Sequence, residues 1–251
     1  MLVSQAHSFT QQARLAITLA WVAGFTNVMT FLTCATVTSH VSGTVSQWGE
    51  WIAEGRWPAF ISFLLVTFFA GAMLSSLCVE TGRRRGWESI YVLPITVEAL
   101  LLGAFAWMIR DHAPGTVEAG TRLYAMTGLA STAMGLQNAT ITRISGGVIR
   151  TTHMTGVFTD LGFETVQFLY WLRDRNRSSP PAPAAALVHS IRTHPTARRL
   201  AHLFSVLVSF ALGAGLGTFA YSNLPEWAMF LPVLLLGWIV IHDVRTPICE
   251  I

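Results

Sequence analysis

MGLQNATITRISGGVIRTTHMTGVFTDLG, residues 134–162, is a polar stretch in an otherwise apolar chain. GFTNVMTFLTCATVTSHVSGTVSQWG, residues 24–49, repeats its plan. Each opens on Gly-x-x-Asn, continues into a Thr-[Ser/Thr]-His-x-[Ser/Thr]-Gly box, and closes on a glycine six residues after that box. We call the boxes box 1 (residues 38–43) and box 2 (residues 151–156). Their recurrence predicts an internal duplication.

The composition favours a membrane protein. Of the 251 residues, 52% are hydrophobic and only 12% are charged, whereas a soluble domain carries about 25% charged residues. A bilayer accepts such a chain because its apolar helix faces can contact lipid. Every basic residue is an arginine, and the arginines cluster beside apolar segments, so the net charge of +3 marks topology. The lipid bilayer is therefore an expected partner and nucleic acid is not.

Six apolar segments of about 20 residues are predicted to span the bilayer, since that length crosses a hydrocarbon core of about 30 Å. They cover residues 15–35, 58–79, 89–109, 122–142, 200–221 and 226–241. A short polar tail, residues 1–13, precedes the first segment, which we interpret as a retained helix and not a cleaved signal peptide. An Arg/Pro-rich linker, residues 173–199, precedes the fifth, and its prolines argue against a regular helix there.

The arginines also predict an orientation. With the N-terminus in the cytoplasm and six crossings, thirteen arginines lie inside and three outside. This is the bias expected of a bacterial cytoplasmic (inner) membrane protein with both termini in the cytoplasm.

The duplication extends beyond the boxes, because Phe68-x-x-Gly71 in the second span recurs as Phe210-x-x-Gly213 in the fifth. We therefore predict an all-α membrane protein with a single transmembrane domain of two repeats, about residues 12–110 and 122–245. Three spans per repeat is an odd number, so the two repeats must have opposite orientations in the membrane. Inverted repeats recur in secondary transporters, with the binding site near the midplane between the halves.

The two motifs carry a family resemblance. Gly-x-x-Asn with a downstream [Ser/Thr]-Gly box, and MGLQNA followed by RTTHMTG, resemble the YoaK family of bacterial membrane proteins over roughly residues 12–245. That family is a domain of unknown function with about six helices. The resemblance implies an integral membrane protein of transporter type and names no substrate.

The polar segments and one buried acid supply the candidate site. Irregular backbone at membrane depth survives only where it is enclosed by protein or lines a watery cavity, so both boxes are predicted to be broken or re-entrant helices. A helix that starts in a box would direct its N-terminal dipole at an anionic group. The predicted substrate-binding residues are Asn27, His40, Ser42, Glu98, Gln137, Asn138, Thr152, His153, Thr155 and Asp160.

Alternatives stay open for each of these groups. The boxes could instead be interfacial loops, each followed by an amphipathic surface helix. Glu98 is either a proton-coupling or substrate-contact residue, or a neutral acid bonded to a neighbouring helix. Asp160 shares a helical face with His153, Glu164 and Gln167, which is either a polar strip on the site or a solvated face.

Two further sets of residues are predicted to pack helices together. The paired asparagines could clamp the repeats or contact the solute. Small residues on the second and fifth spans predict close helix packing, namely Gly71, Ser75, Ser209, Gly213 and Gly217.

The function that these patterns favour is alternating-access transport of a small polar or anionic solute, without catalysis, metal or cofactor. A membrane scaffold or sensor is the alternative. A metal-dependent membrane enzyme is favoured less, because the chain lacks His-x-x-x-His, Glu-x-x-His and cysteine-pair motifs. Besides the solute, a second copy of the chain stays open as a partner.

Overall fold

A computed structural model describes residues 2–87, 89–110, 117–144, 153–178 and 184–245, and the regular structure of these residues is helical. The helices in chain order are α1 (Leu2–Cys34), α2 (Val41–Ala53), α3 (Ala59–Arg84), α4 (Val92–Arg110), α5 (Thr121–Ile144), α6 (Met154–Ser178), α7 (Ala184–Thr193), α8 (Pro195–Asn223), α9 (Pro225–Ala228) and α10 (Phe230–Arg245).

Five helical segments of the described chain are long and apolar enough to cross a membrane, which makes this a multi-pass membrane protein. They are Ala13–Cys34 within α1, then α3, α4 and α8, and finally α9 with α10 as Pro225–Arg245. Helix α5, the predicted fourth span, is not among them. Its sequence alternates apolar residues with hydroxyl and amide side chains, and Thr127, Ser131, Gln137 and Thr140 are buried in the bundle.

The polar tail and the Arg/Pro-rich linker are largely helical where the structure describes them. Helix α1 begins at Leu2, within the predicted tail, because nothing between there and the first span is a proline or glycine. The linker prediction is also wrong for most described residues, since α6 continues to Ser178 and α7 occupies Ala184–Thr193. Pro195 is tolerated because it stands in the first turn of α8, where an N–H would have no intrahelical acceptor.

The centre of the bundle is built from two close helix pairs, α1 against α8 and α3 against α5. A methyl group on Gly135 of α5 would lie 2.0 Å from the carbonyl oxygen of Phe68 on α3. A methyl group on Gly71 of α3 would lie 2.0 Å from the carbonyl oxygen of Thr132 on α5. Because an ordinary contact begins near 3.4 Å, only glycine permits this approach.

The α1–α8 pair makes the same two contacts. A methyl group on Gly24 would lie 2.0 Å from the carbonyl oxygen of Phe210, and one on Gly213 would lie 2.1 Å from that of Trp21. The prediction that Gly71 and Gly213 belong to packing faces is therefore confirmed.

Hydroxyl groups join the same helix pairs. Ser209 donates to the carbonyl of Ile17 at 2.8 Å, and Ser131 donates to that of Leu64 at 3.0 Å. The Ser75 hydroxyl lies 2.7 Å from that of Thr140. Helix α4 packs against α5 and α10, and it completes the buried core.

Helices α2 and α6, which we call the elbow helices, lie on the outside of these pairs. None of the residues of α2 is buried, and α2 is attached to α3 by a hydrogen bond from the Trp48 indole to Ser62 at 3.0 Å. Helix α6 is attached to α8 by an ion pair of 2.9 Å between Glu164 and Arg199. Both elbow helices expose large apolar side chains, such as Ile52 on α2 and Phe163, 65% exposed, on α6.

Candidate functional site at the starts of the elbow helices

Each elbow helix begins directly after the histidine of its box. The amide of Thr44 donates to the carbonyl of His40 at 3.0 Å, and the amide of Val157 donates to the carbonyl of His153 at 3.2 Å. Each histidine is thus the last residue before the first helical turn. The backbone N–H groups of that turn have no intrahelical acceptor, and they carry the positive end of the helix dipole.

The histidine rings have the same position in both boxes. A methyl group on Gly43 would lie 2.5 Å from Nδ1 of His40, and one on Gly156 would lie 2.5 Å from Nδ1 of His153. Each imidazole therefore rests on the first turn of its own helix, with its Nδ1–Cε1 edge over the glycine. The spacing His-x-x-Gly is required for this arrangement, because any side chain at the glycine would displace the ring.

A cavity of about 650 Å³ joins the two boxes. Box 1 contributes His40 and Ser42, and the start of α6 contributes His153 and Thr155. The remaining wall comes from the four central helices; its residues are Gly24, Asn27, Val28, Phe31, Phe68, Asn138, Phe210 and Ala214, together with Val37, Ser39, Val41 and Met154 beside the boxes. None of these described lining residues is Asp, Glu or Arg.

The asparagine of the first repeat is held by its own box. Ser39 donates its hydroxyl proton to Oδ1 of Asn27 at 2.8 Å. With Oδ1 occupied as an acceptor, the amide NH₂ of Asn27 is the end that offers hydrogen bonds to the cavity. The bond also ties the non-helical segment before α2 to the middle of α1.

The cavity lies well inside the helices that enclose it. At a rise of 1.5 Å per residue, Phe68 stands roughly 14 Å or more from either end of α3. Phe210 stands roughly 20 Å or more from either end of α8.

Six of the ten predicted substrate-binding residues line this cavity: Asn27, His40, Ser42, Asn138, His153 and Thr155. Thr152, a seventh, lies outside the described residues. Substrate binding by any of them stays a prediction.

The other three predicted residues lie elsewhere in the fold. Glu98 on α4 is fully buried, and neither carboxyl oxygen has a hydrogen-bond partner among the described residues. Gln137 is buried between α5 and α1, where its amide donates to the carbonyl of Leu19. Asp160 lies 3.9 Å from the guanidinium of Arg199, on the side of α6 that faces α8.

Sequence reasoning did not single out the aromatic part of the wall. Phe68 and Phe210 line the cavity, and each stands three residues before a glycine that touches a facing helix. The repeated Phe-x-x-Gly motif was therefore a usable signal, since residues three apart share a helical face.

Potential metal ligands are not clustered in the described part of the chain. There, no three His, Cys, Asp or Glu side chains are grouped as metal ligands would be.

These features define a helical membrane protein with a cavity of mixed polar and apolar lining beside two repeated boxes. The chain belongs to the DUF1275 family, proteins of unknown function, whose sequence pattern matches residues 15–242. No curated protein and no solved structure matches the chain.

Proposed function

We propose that this protein is a secondary transporter that moves a small polar or anionic solute by alternating access through the cavity between the boxes. The observation that carries the proposal is the meeting of His40 and His153, 113 residues apart in the chain, in one cavity. Box segments placed on opposite faces, with apolar packing between them, would have left no shared site. The proposal needs no catalytic residue, metal or cofactor.

The repeated glycine contacts support two inverted repeats. Gly24 and Gly135 are 111 residues apart, and their contact partners Phe210 and Phe68 are 142 apart. The Gly71–Thr132 and Gly213–Trp21 contacts are related by the same two offsets. The first helix of each repeat thus packs on the second span of the other repeat, as an approximate twofold axis requires.

Helix α5 fits the role of the sixth crossing. Its 24 residues give a length of roughly 36 Å, enough for the hydrocarbon core. Its low hydropathy is no obstacle, because Ser131, Gln137 and Thr140 are buried against other helices and not turned to lipid. A crossing helix that is enclosed by protein does not need the apolar composition of one that faces lipid.

The elbow helices fit re-entrant or interfacial positions in the bilayer. On α6, Glu164 faces α8 while Phe158, Phe163 and Val166 are exposed. A water-facing helix would bury its apolar side chains and expose its acids, whereas these residues of α6 do the opposite. The exposed apolar side chains of α6 are suited to contact with acyl chains. The distribution of thirteen arginines inside and three outside supports a cytoplasmic location for both termini, in a bacterial cell. The resemblance to the YoaK family is compatible with membership of the DUF1275 family.

Cysteine accessibility tests the proposal without knowledge of the solute. Cys34, Cys78 and Cys249 are replaced by alanine, and single cysteines are introduced as Ser42→Cys or Thr155→Cys. Right-side-out and inside-out vesicles are treated with a membrane-impermeant thiol reagent. We expect both cysteines to react from both sides, because the cavity opens to each side in turn.

Matched controls come from the elbow helices outside the cavity. Gln47→Cys and Asp160→Cys occupy corresponding positions in the two repeats and should each react from one side only. If Ser42→Cys reacts only from outside and Thr155→Cys only from inside, like these controls, transport is excluded in favour of a scaffold or sensor.

A further inference from the structure

The residues that line the cavity indicate a narrower class of solute than the polar or anionic solutes proposed above. We propose that it binds a small organic monoanion, a carboxylate attached to an apolar group. The inference rests on the proposed function only in taking this cavity as the solute site. It is carried by three properties of the lining: an excess of hydrogen-bond donors, the lack of acids, and a wall of aromatic rings.

The donors come from both repeats. The first turns of α2 and α6 offer backbone N–H groups without intrahelical acceptors, and residues of both turns line one cavity. Asn27 adds its NH₂ group, because its oxygen already accepts from Ser39. Ser42 and Thr155 add hydroxyls that can donate.

The histidines are arranged to donate as well. The Nδ1 edge of each ring rests over Gly43 or Gly156, at the positive end of a helix. That position favours a lone pair on Nδ1 and leaves the proton on Nε2. Each ring can therefore present its Nε2–H to the cavity, and a carboxylate is a common group that accepts several such bonds at once.

The lining also excludes other classes of solute. Since no described lining residue is Asp or Glu, a cationic solute would lose its hydration without gaining a counter-charge. A multiply charged anion such as phosphate would find no arginine among the lining residues that the structure describes, and arginine is the usual partner for that charge.

The aromatic side chains that line the cavity favour a solute with an apolar group. Phe31, Phe68 and Phe210 lie in the cavity beside Val28. The volume of about 650 Å³ is that of an ordinary small-molecule site. A ring or branched chain on the carboxylate would displace water from these side chains, which favours binding by the hydrophobic effect.

Three aromatic probes of similar size, benzoate, benzamide and benzylammonium, together with inorganic phosphate, separate these classes. The full chain is reconstituted in lipid nanodiscs, and binding is measured by calorimetry and by the shift in thermal unfolding. We expect benzoate to bind, benzamide to bind at least about tenfold more weakly through the loss of charge-assisted hydrogen bonds, and the other two not to bind.

Substitution of His40 and His153 tests whether the probe binds beside these two histidines. His40→Gln and His153→Gln should each weaken benzoate binding by roughly tenfold. His189→Gln, the same change at an exposed position on α7, should leave it unchanged. The ¹⁵N shifts of the two cavity histidines should report the Nε2–H tautomer.

Each contrary result overturns the inference. Equal binding of benzamide, binding of benzylammonium or phosphate in preference to benzoate, or no binding of any probe at about 10 mM would exclude an organic monoanion as the solute class. The cysteine labelling described above uses no ligand, so alternating access would still stand or fall by its own result.

Discussion

The closest helix contacts give the sharpest test of this fold. Replacing Gly135 by alanine adds one methyl group to α5, directly against α3. The added carbon would lie 2.0 Å from the carbonyl oxygen of Phe68, an atom fixed in a helical backbone that cannot rotate away. The two helices must separate locally by roughly 1.4 Å to restore an ordinary contact distance of about 3.4 Å.

The free-energy cost of separating α3 and α5 can be estimated from the contacts around Gly135. Overpacking of a well-packed interface costs about 2–3 kcal/mol. Two interhelical hydrogen bonds flank the contact, Ser131 to Leu64 and Ser75 with Thr140, and weakening both adds about 1 kcal/mol. We therefore expect Gly135→Ala to lower the free energy of unfolding by about 3–4 kcal/mol.

Unfolding in mixed SDS and detergent micelles, followed by tryptophan fluorescence, measures this loss. The matched control is Gly49→Ala on α2, a helical glycine with no atom near its missing methyl. Alanine favours helix by about 1 kcal/mol there, so stability should stay the same or rise. Gly24→Ala, which probes the α1–α8 contact, should match Gly135→Ala within about 1 kcal/mol. A loss below about 1 kcal/mol for Gly135→Ala would refute the close α3–α5 packing.

Two more substitutions probe the buried glutamates, Glu98 and Glu164, in the same assay. Glu98→Leu should raise the free energy of unfolding by about 1–2 kcal/mol, because neither carboxyl oxygen has a partner in the described part of the chain and Leu236 fills the corresponding place on α10. A loss of stability would show that the Glu98 carboxyl makes a stabilising hydrogen bond. Arg199→Gln should cost about 2 kcal/mol, discounted for a half-exposed guanidinium, because it leaves Glu164 buried without its ion pair. The double substitution of Arg199 and Glu164 by glutamine should recover most of that loss, and two additive losses would show that the pair does not form.

The residue pattern was sufficient to predict which helix faces pack. Gly71 and Gly213 were assigned to packing faces because small residues recur at helical spacing, and both contact a facing backbone. It did not predict which helix each face meets. Apolar faces resemble one another in lipid, and periodicity describes one helix at a time. The pairing of α1 with α8, and of α3 with α5, is known only from the three-dimensional structure.

Six of the predicted site residues line one cavity and three lie elsewhere, and both outcomes follow from what helical spacing can specify. The boxes share His-x-x-Gly and Gly-x-x-Asn spacings that fix local geometry, so Asn27, His40 and His153 could be grouped from sequence. Asp160 was grouped with His153 by face alone, yet α6 turns that residue towards Arg199. Helical spacing defines a face but not its rotation relative to neighbours, and Arg199, the residue that Asp160 faces, lies 39 positions away in the sequence.

Both halves have glycines where helix backbones touch, but the two halves attach their elbow helices with different side chains, and the two kinds of contact differ physically. Gly24 and Gly135 face carbonyl oxygens at van der Waals range, so any larger residue in either half would separate the pair. The polar attachment of each elbow helix is made by side chains, which can differ between the halves. A hydrogen bond from Trp48 serves α2, and the ion pair of Glu164 serves α6. Divergence at the elbows could therefore alter the two ends of the cavity without disturbing the central helices that form its wall.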